Sequence, residues 1–146
     1  RLATNDTWIT LADPAGHPFD VCLKPEDPNT TLMAVMLDCP DAAVLSRFYA
    51  ELLGKPITYE GAGMAMIGNE GAQPVMFQQV AEYTAPAWPD PARPQQVHLD
   101  ITVDDINQAE QGVLALGASS LDYQGENWRV YADPAGKPFC LIWNAS

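Results

Sequence analysis

The chain has 146 residues, 47% hydrophobic and 18% charged, and seven basic residues against nineteen acidic ones give a net charge of −12. That length buries the core of one ordinary domain without disulfide or metal staples, and no apolar run approaches the ~20 residues a membrane-spanning helix needs. A surface this acidic repels phosphate backbones and anionic headgroups, which argues against nucleic-acid and membrane partners and leaves two readings, plain solubility or attraction of a cationic small molecule.

Residues Thr7 to Leu23, TWITLADPAGHPFDVCL, read as a β-hairpin: two β-prone runs joined by Asp-Pro-Ala-Gly turn chemistry. The same text returns from Trp128 as WRVYADPAGKPFCLIW. With Trp8 set on Trp128, eight of sixteen positions are identical at a constant offset of 120. Residues 1–24 are thus expected to be an orphan hairpin resembling the end of a preceding module, and 25–31, polar and proline-containing, a linker.

From Leu32 a strand alternates Met33, Val35 and Leu37 with Ala34, Met36 and Asp38. Asp41 is placed to cap a helix whose apolar stripe is Val44, Leu45, Phe48, Tyr49, Leu52 and Leu53, with Gly54 as its stop. ITYE, GMAMIG and PVMFQQV follow as three short antiparallel strands. The crossover Glu82 to Pro94 holds four prolines and is not regular structure. A second unit repeats the order: a strand alternating Val97, Leu99, Ile101 and Val103 with His98 and Asp100, a helix capped by Asp104 or Asp105 with Ile106, Ala109, Val113 and Leu116 on its stripe, then SLDY, WRVYA and PFCLIW. Cys22, Cys39 and Cys140 form an odd set without CxxC spacing, and the first residues lack a basic-then-apolar leader pattern, which predicts a cytoplasmic protein.

Two tandem βαβββ units with FYAELLG closing the first helix, HLDITVDD opening the second unit and DPAGKPFCL closing it resemble the vicinal oxygen chelate superfamily, in its glyoxalase-like branch. The resemblance covers about four fifths of the chain and implies an α+β fold. Its paired βαβββ modules, at 32–81 and 95–146, form a curled, cup-shaped mixed sheet in a domain spanning 32–146, to which the N-terminal hairpin is added. It also implies a homodimer and a divalent metal held by inward side chains of first and last strands, while the superfamily hosts glyoxalases, dioxygenases, isomerases and bleomycin-resistance binding proteins on one scaffold. Carried over by position, the metal-ligand places fall on His98 and Cys140 in the second module. In the first they fall on Ala34 or Met36 and on Met76, with Gln78 two residues further on the same face.

One imidazole, one thiol and apolar side chains do not make an oxygen-rich metal site, so no cofactor and no metal ligand is predicted. A divalent metal and a lyase, isomerase or dioxygenase activity using His98 are the alternative. The expected function is small-molecule binding in a hydrophobic cup. His98, Asp100, Gln78, Met76, Met36, Cys140 and Trp128 line that cup, and His98 is the best candidate for a catalytic group. Each has a bland counterpart: His98 as a hydrogen-bonded residue on a sheet face, Cys140 as a small buried filler, Trp128 and Trp88 as packing.

Overall fold

The computed structural model describes residues 2–4, 6–23, 31–69 and 72–144, so the expected linker lies outside the described residues apart from Thr31. The chain divides into two compact units, Arg1–Thr31 and Leu32–Ser146.

In the first unit β2 (Trp8–Ala12) and β3 (Pro18–Cys22) form the expected hairpin, and a third strand, β1 (Ala3–Thr4), pairs antiparallel with β2. Two residues are too few to show an alternation, which is why β1 escaped the sequence pattern.

The second unit runs β4 (Val35–Cys39), α1 (Ala42–Leu53), β5 (Ile57–Gly61), β6 (Met64–Ile67) and β7 (Val75–Gln79). It then repeats the order as β8 (Leu99–Thr102), α2 (Ile106–Ala115), β9 (Ser119–Gln124), β10 (Trp128–Ala132) and β11 (Pro138–Ile142). The strands form two mixed four-stranded sheets of identical order, β4-β7-β6-β5 and β8-β11-β10-β9, each with one parallel pair. The opening strands β4 and β8 are not hydrogen-bonded to each other.

Local chemistry sets the element ends. The Asp41 carboxylate accepts the Val44 N–H at 3.0 Å, and Asp105 rather than Asp104 accepts those of Asn107 and Gln108 at 2.8 and 3.0 Å, satisfying donors that the first helical turn leaves orphaned. Gly54 closes α1 at φ 59°, a left-handed position where glycine has no Cβ to strain. Leu37, Cys39, Ala65, Ile67 and Phe77 turn toward α1, whose Leu45, Phe48 and Tyr49 are buried. Phe77 stacks on Tyr49 with centroids 5.7 Å apart, while Phe139 of β11 meets Phe48 and Tyr49 edge-on at 5.7 and 6.3 Å. One core therefore joins the two modules. Val44, expected on the buried stripe, is 48% exposed, because the stripe facing the core is narrower than its run of apolar residues.

A polar clamp crosses the same junction. The Tyr49 hydroxyl donates to Asp133 Oδ2 at 2.8 Å, and Asp133 Oδ1 accepts the backbone N–H groups of Ala135 and Lys137 at 2.8 and 2.9 Å. Burial outweighs these three donors and holds the Asp133 carboxyl above its ordinary value, and it raises the Tyr49 phenol as well. The proline-rich crossover is tied to this turn, since the Tyr83 hydroxyl donates to the Ala135 carbonyl at 2.9 Å and the Lys137 ammonium lies 5.3 Å from the Tyr83 ring centroid. No helix among the described residues is long and apolar enough to cross a membrane.

Candidate functional site

Strand pairing decides which side chains share a face, because residues directly opposite one another in a ladder point the same way. Arg129 and Tyr131 of β10 reach Glu110 on α2, at 2.7 and 2.9 Å, so the odd-numbered residues of β10 face the helix. The other face carries Trp128, Val130 and Ala132. Pairing extends it as one row, Tyr123, Val130, Cys140 and Asp100, and a second, Trp128, Ile142 and Thr102. His98 stands one residue ahead of β8, not inside the strand as expected, and falls on the same side as Asp100 by alternation.

His98, Asp100 and Cys140 come together here, their ligand atoms all within 4.8 Å of one another. His98 Nε2 lies 3.4 Å from Asp100 Oδ1, with 42% and 55% of the two side chains exposed, so this corner is open to solvent. Burial pushes the Cys140 thiol up to about 11, and the hydrogen bond and negative charge of Asp100 add to that shift. A thiol at that value is protonated near neutral pH and is a poor nucleophile.

The donor set bears on the metal that the fold resemblance implies. Met36 pairs with Met76 in the first sheet as Asp100 pairs with Cys140 in the second. Taking Met76 as the counterpart of Cys140, Met36 corresponds to Asp100, which leaves Ala34 in the place of His98. The first module thus offers a methyl group and two thioethers, and the second a histidine, a carboxylate and a protonated thiol from adjacent strands. Hard divalent ions prefer oxygen ligands, and a thiol binds metal only as thiolate. These residues do not fit a two-module, oxygen-rich centre.

The opposite edge of the same face is aromatic. Trp88, from the crossover, meets Tyr123 edge-on with centroids 4.7 Å apart, and Tyr123 lies 5.5 Å from Trp128. A β-bulge aims Tyr123: Val130 pairs with Tyr123 but the next residue, Tyr131, pairs with Ser120, so Leu121 and Asp122 are extra and Asp122 takes φ 51°. Gly125 allows the Trp128 indole to lie close, since a Cβ at that position would collide with the ring. Tyr123 was not foreseen, because the bulge breaks the alternation that would have placed it. Val130 and Ala132 sit between the two edges and are buried, and the crossover is anchored at both sides of them, at Tyr123 by Trp88 and at the 133–137 turn by Tyr83.

Met36, Met76 and Gln78 belong to the other sheet, where Met36, Met76 and Met66 form one row and Asp38, Gln78 and Met64 the next. This face is rich in thioethers, which adapt to irregular shapes. The seven expected pocket residues therefore occur as two groups, His98, Asp100, Cys140 and Trp128 on one sheet and Met36, Met76 and Gln78 on the other. None of the seven lines either of two surface cavities, one of about 360 Å³ lined by Val44, Arg47, Phe48, Glu51, Leu116 and Pro134, and one of about 270 Å³ bounded by Arg93, Gln96, Val97 and Lys137.

A family model described as glyoxalase-like domain matches residues 34–142. No curated protein matches the chain. Among solved structures the chain is similar to a glyoxalase/bleomycin resistance protein/dioxygenase family enzyme from Burkholderia phytofirmans, with 16% identity, 78% of this chain and 98% of that one covered, and a TM-score of 0.59. It is also similar to a fosfomycin resistance protein from Mesorhizobium loti (14% identity, 79% and 92% covered, TM-score 0.59) and to an integron cassette protein from V. cholerae (19%, 82% and 98%, 0.53). At such identities the likeness is one of fold.

Proposed function

The chain belongs to the glyoxalase-like domain family of the vicinal oxygen chelate superfamily, and from that premise we propose that it binds a small planar molecule on this face of its second sheet, without the metal centre of metal-bearing relatives. The observation that carries this reading is the single face on which Tyr123 and Trp128, backed by Trp88, stand at one edge and His98 and Asp100 at the other. Three strand-to-strand steps of ~4.8 Å separate the edges, a span that suits a drug-sized ring system. Aromatic rings favour stacked planar ligands and cations, and Asp100 together with the net charge of −12 favours a positive one. The polar groups fix orientation: Asp100 accepts from a ligand N–H, and His98 offers a donor or an acceptor.

Thermal-shift titration tests this with planar aromatic cations, cationic glycopeptides and neutral aromatic acids. A stabilisation of roughly 5–10 °C is expected with a ligand at about 100 times its Kd. It should be accompanied by quenching of tryptophan fluorescence and be lost in Trp128→Ala and Tyr123→Ala. No shift with any class, or one that survives both substitutions, would sink the reading. The second reading, a metal-dependent lyase, isomerase or dioxygenase using His98, draws on the closeness of His98, Asp100 and Cys140. Stoichiometric zinc, iron, nickel or manganese in the purified protein would favour it over the first.

A further inference from the structure

The N-terminal sheet repeats the second module more deeply than its sequence suggests. Ala3 pairs with Thr10 and Thr4 with Ile9, while Tyr123 pairs with Val130 and Gln124 with Arg129, each position displaced by 120. The hairpin ladder from Trp8–Cys22 to Ala12–Pro18 matches that from Trp128–Ile142 to Ala132–Pro138 at the same displacement. The closing bond from Leu23 N–H to the Thr7 carbonyl recurs from Trp143 to Asn127. β1, β2 and β3 are thus copies of β9, β10 and β11.

What differs is their cover. In the second module β11 is an inner strand, paired in parallel with β8, and Phe139 and Leu141 are fully buried beneath the helices. Among the described residues β3 is the edge of the first unit's sheet, and the corresponding Phe19 and Val21 are 46% and 49% exposed. Ile9 and Leu11 complete that face, opposite Val21 and Phe19. An apolar face beside an open strand edge is an unfinished sheet.

We infer that this sheet is a docking surface for a βα unit built like β8 and α2, a strand adding parallel to β3 followed by an amphipathic helix laid on Ile9, Leu11, Phe19 and Val21, and supplied by a further repeat linked in tandem. The single displacement of 120 residues, kept through three strands and their turn, is the spacing of a covalent repeat. Both βα units of residues 32–146 are already paired to their own sheets. The surface also specifies its helix. Where Arg129 and Tyr131 bind Glu110, the copies are Ile9 and Leu11, so the docked helix carries an apolar side chain at the position of Glu110.

The test joins a copy of Gln95–Ser120 directly ahead of Arg1, which preserves the register because position 121 corresponds to position 1. Hydrogen exchange is compared with that of the unextended chain. Amides of Phe19 to Cys22 should become protected at least tenfold, further so with Glu110→Leu in the copied segment, and Phe19→Asp with Val21→Asp should abolish the gain. In the unextended chain, that double substitution should remove binding of the dye ANS and leave the main melting transition in place. Unchanged exchange in the extended chain would overturn the inference, as would ANS binding indifferent to positions 19 and 21. A concentration-dependent dimer of the unextended chain that Phe19→Asp dissolves would overturn it too, by assigning the face to a second copy.

Discussion

Asp13 and Asp133 close the same turn in two different surroundings. Each carboxylate accepts the backbone N–H two and four residues on, at 2.8 and 2.8 Å in the first turn and 2.8 and 2.9 Å in the second, and each turn ends on a left-handed glycine, Gly16 at φ 91° and Gly136 at φ 78°. The second oxygen differs: His17 Nδ1 at 3.2 Å for Asp13, the buried Tyr49 hydroxyl at 2.8 Å for Asp133. The backbone hydrogen bond from His17 leads in drawing the exposed Asp13 below its ordinary value, whereas burial drives Asp133 above it. Backbone geometry here follows from six local residues, Asp-Pro-Ala-Gly-x-Pro, and energetics follow from what lies on top.

The sharpest way to break the comparison is to empty both hairpins of the same ring. Phe139→Ala removes a side chain that touches Phe48, Tyr49 and Tyr131 and should cost about 3–5 kcal/mol by urea denaturation. Phe19→Ala, at the equivalent exposed position, should stay within ~0.5 kcal/mol. Comparable losses would mean that the two sheets are equally covered in solution.

Next in size is the clamp. Asp133→Asn keeps an acceptor for the two backbone N–H groups but leaves the Tyr49 hydroxyl without one, an expected loss of about 1–3 kcal/mol, and Tyr49→Phe in the same background should add little because the two groups act as a pair. Asp13→Asn should shift the denaturation midpoint far less, since its turn is open to solvent.

Neither the clamp nor the aromatic edge could be read from sequence, although most of the scaffold could. Asp41, Gly54 and the Asp-Pro-Ala-Gly repeats announce their roles because capping and turn chemistry act within four residues. Tyr49 and Asp133 are 84 residues apart and meet only through packing of α1 against the second module. Trp88 sits in a segment with no periodicity, and Tyr123 behind a bulge that adds two residues to its strand. His98 and Asp100 could be grouped in advance by alternation, and Cys140 joined them through the ligand positions that the family resemblance implies. Alternation does not say whether the faces of two sheets meet, and Met36, Met76 and Gln78 stand on a different sheet from His98, Asp100 and Cys140.

A smaller effect concerns pH. Asp133 has a folded pKa above the unfolded 3.8, so its contribution to stability is fully present below about 3.8 and is lost as pH rises through the folded value. Asp13 has the opposite sign, contributing above 3.8 and losing that contribution as pH falls. The deficit of Asp133→Asn relative to wild type should therefore widen as urea midpoints are followed from pH 7 down to pH 4. A deficit that narrows would show that the three donors to Asp133 outweigh its burial.

The cysteines give the subtlest contrast, one of rate. Thiolate is the reactive form, and an ordinary thiol near 8.5 is roughly a tenth ionised at pH 7.5. Cys140, pushed up to about 11, has a thiolate fraction smaller by ~100-fold or more, and Cys39 is both fully buried and raised by that burial. Cys22, at the end of the uncovered hairpin, is exposed. Iodoacetamide at pH 7.5 should accordingly give one early adduct, mapped by peptide mass to Cys22, and Cys22→Ser should abolish it. An early adduct on Cys140 instead would place a cationic or metal influence beside His98 and Asp100 that lowers the thiol. Such a result would reopen the corner of the second sheet as a reactive centre.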